Sequence, residues 1–150
     1  DLPNDGWLWD KCETCPEPSY NYDVPKALPR EVSVVVSISG IVAFPVGHEF
    51  VEFRAELPNR GIIRKETHLL NFRREFDSFL LRLTGAGARV VHLYPATPLS
   101  ASIEIGRMLL PKTFEEIYVW EWQAPEWKRL NIVIDRFREM SQDKIYATDD

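Results

Sequence analysis

Between residues 67 and 84, Leu69, Phe72, Phe76, Phe79, Leu80 and Leu83 recur at steps of three and four, with Arg73, Arg74, Asp77 and Arg82 on the other side. That period predicts an amphipathic helix, ended by Gly85 or Gly87. Residues 32–40 are β-branched nearly throughout and finish on Ser39-Gly40. A strand apolar on both faces is expected at the centre of a parallel sheet covered by helices. A second buried strand is predicted over 89–94. A second helix is predicted over 98–110, opened by Thr97-Pro98 and closed by Pro111, with Ser102 and Gly106 four apart so that it can approach the sheet. Residues 48–56 read as a further strand or an extended connection. Two more strands, 116–122 and 128–134, flank a turn at Ala124-Pro125. Alternation along the first of these sends Trp120 and Trp122 to one face and Ile117, Val119 and Glu121 to the other.

This order, strand–helix–strand–helix–strand–strand, describes an α/β sandwich with a mostly parallel central sheet and an antiparallel pair at one end. Residues 1–31 hold five of the eleven prolines and show no sustained period. They read as an irregular linker or wrap. Residues 32–134 form the folded unit. Residues 135–150 read as a short helix and an acidic tail.

The 150 residues suffice for one domain with a real core. No apolar run approaches the roughly 20 residues that span a bilayer, so no membrane segment is expected and a cytoplasmic location is. A net charge of −5 excludes a general duplex-DNA binder, which needs a broad basic surface. The charge is uneven: residues 60–112 carry nine Lys or Arg against four acids, and the rest of the chain nine against nineteen. Most of those cations are solvated helix surface, yet the basic middle suits a small anionic ligand. Cys12 and Cys15 are half of a zinc knuckle. Three readings stand for them: two reduced structural cysteines, a metal site completed by another segment, or a disulfide or redox pair. They are the only metal candidates, and no cofactor is expected.

No glycine-rich dinucleotide loop, phosphate loop, nucleophile elbow or paired-histidine zinc motif occurs. No nucleophile, base and oxyanion group can be assembled, so an enzyme is not expected. A binding site is easier to build. In open α/β sheets ligands sit beyond the carboxyl ends of the strands, where Ser39-Gly40 and Tyr94-Pro-Ala-Thr-Pro98 both fall. Ser37 and Ser39 share a face. Thr97 and Ser100 stand at a helix start whose free amides can receive an anion. Arg107 and Lys112 add charge. Tyr94, Trp120 and Trp122 can stack on bases. Structural roles compete at each position. Thr97 and Ser100 can simply cap the helix. Tyr94 and one tryptophan can be core. Arg107 can tie the helix to the following strand, and Glu121 can pair with it. His92, mid-strand, reads as a satisfied core or ligand-edge histidine.

The stretch His92-Leu-Tyr-Pro-Ala-Thr-Pro-Leu-Ser-Ala-Ser-Ile-Glu-Ile-Gly-Arg-Met-Leu-Leu-Pro-Lys112, followed by Ile117-Tyr-Val-Trp-Glu-Trp122, resembles the C-terminal part of a SAVED domain. The strand ending in Ser39-Gly40 and the 67–83 helix sit where that family has them. The resemblance spans about residues 32–134 and implies a CARF-like, Rossmann-type three-layer sandwich. Where many members carry aromatic-Tyr-Asp after the Pro-Lys, this chain has Trp120-Glu-Trp122, which leaves the role of Glu121 open. The resemblance implies a sensor of cyclic oligonucleotides in anti-phage signalling, of the CBASS or type III CRISPR kind. Such sensors activate an effector domain or chain by ligand-driven assembly. It assigns ligand contacts to Ser39, Gly40, Ala96, Thr97, Pro98, Arg107 and Lys112, beside Ser100 and Trp122 from the residues themselves. One CARF-like unit fits in this length, so a second is expected on another segment or chain, with self-association as a further expectation. Two rivals remain: a partner-docking half-domain without its own ligand, and a CARF-like ring nuclease.

Overall fold

A computed structural model describes residues 14–44, 47–109 and 114–135, with residues 131–135 described by their backbone alone. The elements are β1 (Tyr20–Tyr22), β2 (Glu31–Ser37), β3 (Val51–Ala55), α1 (Glu66–Gly85), β4 (Val90–Ala96), α2 (Leu99–Met108), β5 (Glu116–Gln123) and β6 (Glu126–Asp135). The strands form one sheet in the order β1-β3-β2-β4-β5-β6. The three inner pairings are parallel, and the two outermost, β1–β3 and β5–β6, are antiparallel. The sheet is therefore mixed, which corrects the expectation of a mostly parallel one.

The second antiparallel pair comes from the Pro-rich segment expected to be irregular. Its strand is only three residues long and has no period to detect. Tertiary contacts hold it: Tyr20 and Tyr22 both stack on Phe53, at ring-centroid distances of 5.1 and 5.3 Å.

Both helices pack on the same face of the sheet. The core joins Val32, Val34 and Val36 of β2, Phe53 of β3, and Val91 and Leu93 of β4 to Phe72, Phe76 and Phe79 of α1 and Ala101 and Ile105 of α2. Phe53, Phe72, Phe76 and Phe79 are fully buried, and burying each side chain of this size contributes about 1.5–3 kcal/mol. α1 ends where expected. Gly87 has φ +107°, and a Cβ there would meet Leu28 O at 3.3 Å. In α2 the inward positions are Ala101, Ile105 and Leu109, four apart. Ser102 and Gly106 are exposed, and nothing lies within 4 Å of a Cβ built on Gly106. These small residues do not bring α2 closer to the sheet, because they lie one residue, about 100°, around from the buried stripe.

The other face carries no helix among the described residues. The β2–β3 connection crosses it instead, with Phe44 edge-on to Tyr94 at 4.8 Å. Among the described residues two layers plus this loop stand where three layers were expected. Cys15 is disulfide-bonded, so the reading of two reduced cysteines fails, and a disulfide sulfur is not the thiolate a metal requires. Cys12 lies outside the described residues, as do Lys112 and the expected C-terminal helix and tail. Among the described residues no cluster of three or more His, Cys, Asp or Glu can hold a metal ion, and no helix is long and apolar enough to cross a membrane.

Candidate ligand-binding site

The carboxyl ends of β2 and β4 are laced together. The amides of Ile38 and Ser39 both donate to Ala96 O, at 2.9 Å each. This places Ser39-Gly40 beside Ala96, Thr97 and Pro98, as expected of two segments at the carboxyl ends of neighbouring strands. Thr97 does not cap α2. Pro98 itself is the N-cap, with an extended backbone (φ −64°, ψ 157°), and no side chain caps the helix. The Thr97 hydroxyl instead shares a hydrogen bond with the Ser102 hydroxyl, and the Ser102 amide donates to Pro98 O at 3.0 Å. Ser100 is half-buried in the first turn of α2.

Arg107 is not drawn to this edge. It is exposed and donates to Glu104 within the same helix at 3.2 Å, while Arg73 of α1 approaches the other Glu104 oxygen at 3.9 Å. The expected ties from Arg107 to β5 or to Glu121 are therefore absent. Glu121 accepts from Gln123 Nε2 at 2.7 Å.

Trp122 belongs to a different constellation, on the helix-free face. Tyr94 and Trp120 stack at 5.3 Å with planes 21° apart. Trp127 stands edge-on to Tyr94 at 5.3 Å and packs on Trp122 at 5.6 Å. Trp127 Nε1 donates to Ala43 O at 3.4 Å, which fastens the β5–β6 hairpin to the crossing loop. Together with Phe44 and His48 these rings wall an open cleft of about 520 Å³. It lies toward the carboxyl ends of β4 and β5, the edge where such sheets take ligands. Trp122 remains 51% exposed, so its ring is available to a ligand. Tyr94 and Trp120 are half-buried members of this face rather than of the core.

Sequence reasoning missed Phe44, His48 and Trp127. A signal for Trp127 did exist. A two-residue turn at Ala124–Pro125 pairs Gln123 with Glu126 and Trp122 with Trp127, the register observed.

His92 explains how Trp120 is aimed. Trp120 Nε1 donates to His92 Nδ1 at 3.1 Å. The imidazole lies flat on Tyr118 at 4.9 Å, and its Nε2 faces Glu31 at 3.5 Å. With Nδ1 accepting, the ring carries its proton on Nε2, toward that carboxylate. Burial pushes the Tyr94 hydroxyl above the usual tyrosine range, partly offset by Ser33. The Tyr118 hydroxyl is raised chiefly by its hydrogen bond to Glu116. Neither group is poised for proton transfer near neutral pH.

Residues 3–129 match the family described as SAVED, "SMODS-associated and fused to various effectors sensor domain". The chain belongs to the SAVED family. Solved structures agree on the fold. The Acinetobacter baumannii Cap4 SAVED/CARF-domain containing receptor superposes with a TM-score of 0.55 at 14% identity, over 79% of this chain and 26% of that one. The same receptor solved with the cyclic trinucleotide 3′3′3′-cAAA gives 0.56 at 12% identity, over 80% and 28%. With 2′3′3′-cAAA it gives 0.57 at 11% identity, over 84% and 29%. The chain thus spans between a quarter and a third of the length of those receptors. No curated protein sequence matches it. As a SAVED unit the chain is an α/β sensor-family domain.

Proposed function

We propose that this SAVED unit senses a cyclic oligonucleotide in anti-phage signalling and passes on the binding event by assembly, without turning the ligand over. The supporting observation is the family match together with a fold shared with receptors solved with cyclic trinucleotides. Two features of the site fit that ligand class. The α2 start, with Thr97, Ser100 and the unaccompanied amides after Pro98, suits a phosphate. The rings of Trp122 and Trp127 suit a base, because every base has a π-face and stacking contributes about 1–3 kcal/mol per base. Lys112 is a candidate cation from the family resemblance alone, while Arg107 is occupied by Glu104. Ser39, Gly40 and Ala96 supply the close-packed backbone of the floor. The effector, the second CARF-like unit and the other subunits of an assembly lie on other segments or chains, and the site of action is the cytoplasm.

Calorimetry against 3′3′3′-cAAA and a panel of cyclic di-, tri- and tetranucleotides tests this reading. Micromolar or tighter binding of one ligand is expected, weakened about tenfold by Trp122→Ala, a step of about 1.4 kcal/mol. Thr97→Ala and Lys112→Ala should weaken it too. The ligand should be recovered intact after prolonged incubation; its cleavage would favour a ring nuclease. Absence of binding across the panel would overturn the sensor reading in favour of a partner-docking half-domain.

A further inference from the structure

The helix-free face has a second concavity, below the aromatic cleft and toward the amino ends of β2 and β3. It encloses about 720 Å³, is walled by Phe50, Tyr94, Trp120 and His92, and carries the carboxylates of Glu31 and Glu49. Among the described residues no Lys or Arg lines it. Three observations bear on what it receives. Parallel strands are ordinarily covered on both faces, yet among the described residues only a loop crosses this one. The exposed rings make it an apolar surface: Phe50 is 46% exposed. Its formal charge is negative: it holds Glu31 and Glu49 with no Lys or Arg among its described lining residues, and Glu31 is itself 66% exposed.

A nucleic acid is disfavoured here, because two carboxylates would repel its phosphates. A purely apolar helix is disfavoured as well, because it would strip water from Glu31, Glu49 and Ser33 without pairing them. A guanidinium satisfies both halves of the wall. Its plane stacks on tyrosine or tryptophan, and its N–H groups pair with carboxylates.

We propose that this lower groove docks a basic, arginine-bearing segment of a partner protein, with one arginine side chain seated against Tyr94 and Trp120 and paired with Glu31 or Glu49. This site is distinct from the one proposed for the cyclic oligonucleotide. The two share the Tyr94–Trp120 wall but require opposite charges, so each can fail without the other.

The test is calorimetric titration of the whole chain with a blocked hexa-arginine peptide, at about 50 and 150 mM salt, where the screening length is near 10 Å. Saturable one-to-one binding is expected. Glu31→Gln and Glu49→Gln should each weaken it at least fivefold, whereas Glu121→Gln and Asp77→Asn, exposed acids away from the groove, should change it less than twofold. Cyclic-oligonucleotide binding by Glu49→Gln should stay unchanged. Equal weakening by all four substitutions would reduce the effect to the general field of an acidic protein and overturn the proposal, as would no saturable binding. Sedimentation of the free chain guards against a different occupant. A dimer that Glu31→Gln and Glu49→Gln dissociate would assign the groove to a second copy and overturn the partner assignment.

Discussion

The two faces of this sheet are made from alternate residues of the same strands, yet they do different work. On the helix side β2 presents Val32, Val34 and Val36, and Phe53 of β3 meets five other aromatic rings. On the far side β2 presents Ser33, β4 His92 and Tyr94, and β5 Tyr118 and Trp120. These side chains are ring-rich too, but they are bonded among themselves and left partly wet. An aromatic ring with a polar handle can be held in place by one hydrogen bond and still offer its face to a ligand. A phenylalanine cluster gains only by exclusion of water. The difference separates the residues that hold the fold from those available for recognition.

The sharpest break in that comparison comes from one ring removed on each face. Phe53→Ala should cost about 3–5 kcal/mol, the range for a fully buried aromatic in a core that cannot collapse around the gap. Urea denaturation measures it directly. Trp122→Ala should cost less than about 1 kcal/mol in the same experiment, because half the ring is already in water, while weakening cyclic-oligonucleotide binding. Equal losses of stability would show that the aromatic cleft is a second core.

Ser37 tests the rule from the other direction, as a buried polar group on the helix-free side. Its hydroxyl donates to Glu52 at 2.8 Å and accepts the Val42 amide at 3.2 Å. It thereby anchors the loop that crosses that face. Ser37→Ala would leave a buried amide unpaired and should cost about 1–3 kcal/mol. Hydrogen exchange should show the loss concentrated in residues 41–44. Uniform loss of protection would mean that the loop is part of the global folding unit.

His92 gives a smaller effect. Replacing it with phenylalanine keeps a ring for Tyr118 but removes the acceptor for the Trp120 indole. A loss of about 1 kcal/mol is expected, typical of one hydrogen bond. Cyclic-oligonucleotide affinity should fall more than stability does, because Trp120 would no longer be aimed at the cleft. His92→Gln, which restores an acceptor, should recover part of both.

How much of this was legible in the chain depends on the source of each signal. α1 was legible because its apolar period is carried by six large residues, and β2 and β4 because β-branched runs have few other fates. β1 was not, since three residues among prolines are placed by Phe53 and Phe72 rather than by local preference. The parallel character of the sheet was overestimated for the same reason. At the site, the meeting of Ser39 with Ala96–Pro98 followed from the rule for strand ends. Thr97 as a cap did not hold, because Pro98 takes the extended conformation and becomes the cap itself. Arg107 pairs with an i,i+3 carboxylate, Glu104, rather than with β5 or Glu121. Trp122 was correctly sent to the face of Trp120, but its cross-strand partner, Trp127, needed the turn to be counted through. The grouping of Phe44 and His48 with these rings depends on the path of a loop, which no local pattern encodes.

Alkaline pH separates the two faces by the smallest but cleanest margin. Tyr20, on the helix side, has its hydroxyl buried with no hydrogen-bond partner among the described residues, and burial, reinforced by Glu17 and Glu75, pushes its ionisation far above the usual tyrosine range. Tyr94, on the other side, is raised by burial but pulled back by Ser33. For a group raised in the folded state, the unfolded chain loses its proton first. Above about pH 10 the unfolded state therefore holds fewer protons, and stability falls as pH rises. Below that pH the contribution is constant. Tyr20→Phe should thus flatten the decline in unfolding free energy between pH 9 and 11 more than Tyr94→Phe does. At pH 7 it should be neutral or stabilising by up to about 1 kcal/mol, since it removes a buried hydroxyl that has no partner among the described residues. A larger alkaline effect at Tyr94 would place the drier environment on the helix-free face and reverse the assignment of core and recognition surface.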